Sequence, residues 1–200
     1  MEEHLRPPEI QRVGVLAIQG DVDAHLAALA RIGAEGVPVL RDKHLADLQA
    51  LILPGGESTT IAKGMERLRL WEPVREFAES GRPLLGTCAG AILLARASQN
   101  HPVPTLGLVD VVALRNGYGT QVDSFAADAD PESDPRFHGL RCVFIRAPRF
   151  SQAGADCEVL VRVDGEPVLV RQQNRLVCSF HPELTEDDRV HELLVSQSDG

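Results

Sequence analysis

Basic charge, paired cysteines, long apolar runs and Gly/Pro-rich tracts are all scarce in this chain of 200 residues. Lys and Arg number 20 against 29 Asp and Glu, for a net charge of −9, so there is no basic field to neutralise a phosphate backbone or an anionic leaflet. Nucleic acid and membrane are therefore not expected partners. The four cysteines, Cys88, Cys142, Cys157 and Cys178, form no C-x-x-C pair, which argues against a zinc site or a disulfide framework. No apolar stretch approaches the roughly 20 residues of a membrane span, and the first nine residues lack the basic start and apolar stretch of a signal peptide. A cytoplasmic protein is expected. Gly (17) and Pro (13) are too few for a low-complexity or collagen-like chain, and 44% apolar residues is an ordinary globular value. The length suits one α/β domain with a sizeable core.

What is present is alternation. Apolar runs of strand length at 13–18, 37–40, 51–53 and 83–86 are separated by amphipathic stretches, the pattern of a parallel sheet covered by helices. Helices are expected at 22–32, with Leu26, Leu29 and Ile32 on one face, from about Ser58, at 71–79 and at 91–97. Pro38 places its strand at an edge. The second half breaks into short β-rich pieces at 108–114, 142–145, 159–163, 168–170 and 176–180, which reads as mixed or antiparallel. Residues 126–136, rich in Asp, Ala and Pro, read as a solvated loop, and 186–195 as a closing helix. The expected organisation is an N-terminal extension at 1–12, one catalytic domain at 13–195 and a polar tail at 196–200.

Gly86-Thr87-Cys88-Ala89-Gly90 has the form G-x-C-x-G, in which small neighbours allow a sharp strand-to-helix turn that projects a thiol. A cysteine at a helix N-terminus is favoured as thiolate, and the following N–H groups can receive an oxyanion. Alone, the motif is equally a core cysteine in a tight turn. Phe180-His181-Pro182-Glu183 offers a companion, because residues two apart in extended chain point the same way, so Glu183 can orient His181. Alone, it reads first as a turn with a surface ion pair. Pro54-Gly55-Gly56-Glu57-Ser58 offers exposed N–H groups and a carboxylate for an ammonium, or simply a turn with Ser58 as helix cap. Arg115 and Arg146 stand beside strand ends and suit a substrate carboxylate, with structural ion pairs as the alternative. His4, His25, His44, His101, His138 and His191 read as solvated, and Cys142, Cys157 and Cys178 as packing residues.

Five blocks in order carry a resemblance: Gly14-Val15-Leu16-Ala17-Ile18-Gln19-Gly20, the stretch from Leu51 to Thr60 containing P-G-G-E-S-T-T, the cysteine elbow, Phe144-Ile145-Arg146-Ala147-Pro148, and the stretch from Cys178 to Thr185 containing S-F-H-P-E-L-T. From about Val13 to about Leu194 the chain resembles the glutaminase subunits of pyridoxal 5′-phosphate synthase, a family of class I (triad) glutamine amidotransferases. The resemblance implies a flavodoxin-like three-layer α/β domain with a mostly parallel central sheet and extra short β elements in the second half. It implies Cys88 as nucleophile, His181 as general base and acid, and Glu183 as the residue orienting the histidine. L-Glutamine would be bound by Gly56, Glu57, Ser58, Arg115, Ile145 and Arg146, with the N–H groups of Gly56 and Ala89 as oxyanion hole. No metal or organic cofactor is implied. The ammonia released would pass to a barrel-shaped synthase subunit in a hetero-oligomeric complex. One departure stands out: after Arg115-Asn116 the family usually has Ser-Phe-Gly-Arg, whereas this chain has Gly117-Tyr118-Gly119-Thr120, so Thr120 removes a cation. Two rivals share the elbow, a cysteine hydrolase of related fold and a catalytically silent binding module.

Overall fold

Strand and helix alternate through the first half of the chain: β1 (Arg12–Leu16), α1 (Val22–Arg31), β2 (Glu35–Val39), β3 (Ala50–Leu53), α2 (Ser58–Arg67), α3 (Trp71–Glu79), β4 (Leu84–Thr87) and α4 (Ala89–Leu94). The second half is mainly strand: β5 (Ala95–Gln99), β6 (Val109–Leu114), β7 (Ser124–Asp128), β8 (Arg141–Ile145), β9 (Arg149–Ser151), β10 (Glu158–Val163), β11 (Glu166–Gln172) and β12 (Arg175–Cys178), closed by α5 (Arg189–Ser196). This computed structural model describes residues 11–117 and 124–199. Residues 1–10 of the expected N-terminal extension, with His4, and the positions of Tyr118 and Thr120 lie outside the described residues.

The central sheet has seven strands in the order β10-β11-β12-β4-β3-β1-β2. β12, β4, β3, β1 and β2 run parallel, and β10 and β11 extend the sheet as an antiparallel flap. Both faces are buried, which explains the unbroken apolar runs. In β3, Leu51 and Leu53 join the core beneath α2, α3 and α4, while Ala50 and Ile52 join the one beneath α1 and α5. β2 is one of the two edge strands, as Pro38 requires. Helix α3 buries Val74, Phe77 and Ala78, one stripe at i, i+3 and i+4.

Four expectations need correction. The helix expected over 91–97 ends at Leu94, and β5 follows at once, burying Ala95 and Ser98 and exposing Arg96 and Gln99, with a register irregularity between Ala95 and Ala97. Residues 126–128 of the expected loop belong to β7, which pairs antiparallel with β8. The cap of α2 is Glu57, not Ser58: its carboxylate accepts from the N–H groups of Thr59 and Thr60 at 3.0 and 2.8 Å. His25 and His191 are fully buried, not solvated. His25 lies one helical turn before Ala28 and Leu29, on the stripe of α1 that faces the sheet. At the C-terminal end, Ser196 closes α5 and Gln197–Asp199 form a 3₁₀ turn.

Candidate active site

Parallel strands deliver their following loops to one edge of a sheet, and ligands bind where strand order reverses. Here the reversal lies between β1 and β3, since α1 covers one face and α2 the other. The loop after β1 carries Gln19, Gly20 and Asp21, and that after β3 carries Gly55, Gly56 and Glu57. Cys88 follows β4 and His181 follows β12. The sequence blocks, far apart in the chain, are thus brought to a single cleft.

Cys88 occupies φ 45° and ψ −102°, an unfavourable backbone region for a residue with a side chain. Surrounding bonds hold it there. Its N–H donates to the Cys178 carbonyl at 2.8 Å, and the Gly90 N–H donates to Pro54 at 3.1 Å, which ties the elbow to β12 and to the turn after β3. A Cβ on Gly90 would overlap the Leu53 carbonyl, and one on Gly86 would crowd the Gly90 carbonyl at 2.6 Å. Both flanking glycines are therefore demanded by close backbone approach. The Cys88 thiol is mostly buried and lies 3.8 Å from the Ile145 carbonyl oxygen.

The N–H of His181 donates to the Val143 carbonyl at 2.8 Å, and its Nδ1 lies 2.7 Å from Glu183 Oε1. The carboxylate reaches the ring through a 3₁₀ turn at Pro182–Leu184, not through the extended chain expected from the sequence. With Nδ1 engaged by Glu183, Nε2 is the nitrogen left for chemistry, and it has no hydrogen-bond partner among the described residues. Burial lowers the imidazole pKa, but the adjoining Cys88 thiol and Glu183 carboxylate outweigh it and the net direction is upward. For Glu183 burial is the largest influence and raises its pKa against the pull of His181.

A cleft of about 350 Å³ opens in front of Cys88 and His181, at the small end of the ~300–1,000 Å³ typical of small-molecule sites. Gly56, Glu57, Ser58, Ala89, Arg115, Ile145 and Arg146 all line it, so every residue expected to bind substrate faces the same space. Glu57 is anchored by Thr59, Thr60 and Arg115, whose Nη2 lies 3.4 Å from its Oε1. Burial opposes ionisation of Glu57, but hydrogen bonds from Thr60 and Thr59 outweigh it and bring the pKa to about 2. Arg115 also donates to the His101 carbonyl at 2.6 Å. Ile145 offers its backbone carbonyl, and Arg146, at φ 44°, stands on a sharp turn beside it.

Sequence reasoning missed Asp21. Its Oδ2 lies 3.3 Å from His181 Nδ1, and its N–H donates to the Gly55 carbonyl at 3.2 Å. Its position after Gly20, at the end of a parallel strand beside the reversal of strand order, was the available signal. Asp21, His181 and Glu183 bring potential metal-ligand atoms within 4.8 Å of one another. Both carboxylates, however, flank the same ring nitrogen, already engaged by Glu183, so the group reads as a hydrogen-bonded imidazole and not as an open metal site.

The model of the SNO glutamine amidotransferase family matches residues 15–199. A Thermus thermophilus protein named pyridoxal 5′-phosphate synthase subunit PdxT is 52% identical over 181 residues, 90% of this chain and 93% of the relative. A Bacillus velezensis protein of the same name is 47% identical over 188 residues, 94% of each chain. A crystal structure described as a glutamine amidotransferase superposes with TM-score 0.87 at 46% identity, covering 94% of this chain and 99% of that one. PurLQS from Thermotoga maritima, at 19% identity and TM-score 0.68 over 94% of this chain and 98% of that one, shares the fold alone. By sequence along nearly its whole length and by fold, the chain belongs to the SNO glutamine amidotransferase family.

Proposed function

We propose that this chain is the glutaminase subunit of a pyridoxal 5′-phosphate synthase, hydrolysing L-glutamine to L-glutamate and ammonia. The observation that carries the reading is the meeting of a strained cysteine elbow with an imidazole whose Nδ1 is engaged by a buried carboxylate at 2.7 Å. Cys88 Sγ attacks the side-chain amide carbon of glutamine. His181 takes the thiol proton and returns it to the departing ammonia, while Glu183 fixes the ring and stabilises the imidazolium. Water, activated by the same imidazole, then cleaves the thioester to release glutamate. The N–H groups of Gly56 and Ala89 serve the tetrahedral oxyanion. Arg115 and Arg146 suit the glutamine α-carboxylate. The Ile145 carbonyl, the Glu57 carboxylate and Ser58 suit its α-ammonium end. No step calls for a metal or organic cofactor.

The catalytic domain would span 13–195, between an N-terminal extension at 1–12 and a polar end at 196–200. Among the described residues no helix is long and apolar enough to cross a membrane, and the proposed site of action is the cytoplasm. The relatives are named as subunits of pyridoxal 5′-phosphate synthase, and in this reading ammonia passes to a barrel-shaped synthase subunit in a hetero-oligomeric complex. The deciding experiment measures glutamate and ammonia from glutamine with a cognate synthase subunit present, for the parent chain and for Cys88→Ala. Turnover in the parent and none in the variant is expected. Absence of turnover in the parent, or its persistence in the variant, would overturn the reading.

A further inference from the structure

Behind Glu183 lies a second cluster of buried titratable groups that the proposed chemistry does not use. His25, on α1, is fully buried, and its Nε2 lies 3.1 Å from Thr87 Oγ1 and 3.5 Å from Glu183 Oε2. Its Nδ1 lies 2.9 Å from Nε2 of His191, on α5, which is also fully buried. We propose that His25 is a positioning residue for both ends of the triad. Its Nε2–H, fixed in that tautomer by His191, steadies Glu183 Oε2 and Thr87 Oγ1, and so sets the orienting carboxylate relative to the strand end that presents Cys88. The inference rests on reading Cys88, His181 and Glu183 as the triad.

The tautomer follows from counting donors. Burial, with His191 and His181 nearby, holds the His25 pKa well down, and burial brings His191 to about 4. Each ring is thus neutral near pH 7 and has one N–H. If His25 carries its proton on Nε2, that hydrogen is donated to Thr87 Oγ1 at 3.1 Å, Glu183 Oε2 at 3.5 Å from Nε2 is a longer electrostatic contact, and His191 Nε2–H donates to His25 Nδ1. Thr87 Oγ1 then accepts, and of the four imidazole nitrogens only His191 Nδ1, a bare acceptor, is left without a partner among the described residues. The opposite arrangement leaves an N–H buried without an acceptor at His191 Nδ1. It also sets the lone pair of His25 Nε2 3.5 Å from Glu183 Oε2, which accepts no hydrogen bond among the described residues. An unpaired buried donor and an unsupported buried carboxylate oxygen each cost more than a bare imidazole acceptor.

The charged and titratable groups around this pair are few. Glu183 and His181 face it from the turn after β12, and Asp21 adds to them from the loop before α1. Asp188 and Arg31 flank His191. Cys178, near Glu183, is fully buried and its thiol stays neutral at ordinary pH. A neutral N–H dipole 3.5 Å from Glu183 Oε2 stabilises the carboxylate without bringing a competing charge. Removing it makes protonation of the Cys88–His181–Glu183 unit easier, so the acidic limb of the pH profile moves to higher pH.

The test uses glutaminase kinetics of the complex with the synthase subunit across pH, for the parent, His25→Leu and His25→Gln. Active sites are counted with a glutamine-like diazo-ketone. His25→Leu is expected to lower kcat per active site roughly tenfold to a hundredfold, the scale set by small misplacements of reacting groups. The KM for glutamine should stay within about threefold, because His25 does not line the substrate cleft. The acidic limb should move up, and His25→Gln, which returns an amide donor near the Nε2 position, should recover most of both effects. A purely structural imidazole would change the number of active sites but neither kcat per site nor the pH limb; that outcome overturns the proposal. Should His25→Leu fail to fold, ¹⁵N imidazole spectra of the parent decide: a neutral Nε2–H tautomer for His25 is expected, and an Nδ1–H or doubly protonated ring overturns it. A parent complex without glutamine turnover would instead sink the triad reading, which the tautomer measurement does not depend on.

Discussion

The backbone N–H of Asp21 donates to the carbonyl of Gly55 at 3.2 Å, so the loop after the first strand holds the peptide whose other end, the Gly56 N–H, is the proposed oxyanion donor. Neighbouring contacts reinforce the link. A Cβ on Gly20 would overlap the Gly55 carbonyl, and the Glu57 N–H donates to Gln19 Oε1 at 2.8 Å. The Gly55–Gly56 peptide cannot rotate without breaking the Asp21 bond, so whatever moves residues 19–21 moves the oxyanion donor.

The first prediction follows from that coupling. The isolated chain should hydrolyse glutamine slowly, and docking of the synthase subunit against residues 19–21 should raise turnover by about 10²- to 10³-fold, the usual worth of one oxyanion donor. Gly20→Ala should lower turnover in the complex, because its Cβ displaces the Gly55 carbonyl. Turnover is compared at saturating glutamine with and without excess partner; equal values would sink the switch and leave the glutaminase assignment standing.

A second expectation concerns selectivity among the four thiols. Burial raises Cys142 to about 12 and places Cys178 well above the usual thiol range, and Cys157 is raised as well. A diazo-ketone analogue of glutamine should therefore label Cys88 alone, as read by peptide mass spectrometry. Comparable labelling of Cys142, Cys157 or Cys178 would count against a privileged site. In the complex, Cys88→Ala should keep synthesis from added ammonium salts while losing that from glutamine.

Glu183→Gln tests orientation separately from proton transfer. An amide of the same shape can support the wrong imidazole tautomer and cannot stabilise the imidazolium, so kcat should fall far more than KM rises. Unchanged turnover would reduce His181-Pro182-Glu183 to a structural turn.

Legibility in the sequence followed burial and period. The run Leu51-Ile52-Leu53 was readable because both faces of its strand are covered, and Gly86 and Gly90 were readable because only glycine fits against Gly90 and Leu53 backbone. The break at Ala95 was missed because alanine favours helix intrinsically, whereas the pairing of Ala95–Gln99 with β6 is decided by tertiary packing. Strand β7 was missed because none of its residues is fully buried and its pairing to β8 leaves no continuous apolar run. His25 sat on the apolar stripe of its helix, yet polar residue type was taken over position. Its partners, Thr87, Glu183 and His191, lie 62 to 166 residues away, and no local pattern encodes such a meeting.

Acid should loosen the fold through His191. Its pKa falls from an ordinary 6.5 to about 4 on folding, so between those values the unfolded chain binds a proton that the native chain refuses. A base with a depressed native pKa contributes stability that is complete above pH 6.5 and is lost as pH falls toward 4, at up to about 1.4 kcal/mol per pH unit. His181, with its pKa raised, shifts stability only above pH 6.5 and adds no slope in this window. His25, likewise held down by burial, adds a slope of the same sign, and both it and Glu183 remain in a His191 variant. Denaturant unfolding of the parent and of His191→Gln at pH 7, 6, 5 and 4.5 isolates the histidine. The variant should lose less stability than the parent on acidification, whatever its absolute stability at pH 7. Parallel pH dependences would mean that His191 is protonated equally in both states and is not held neutral by burial between α5 and α1.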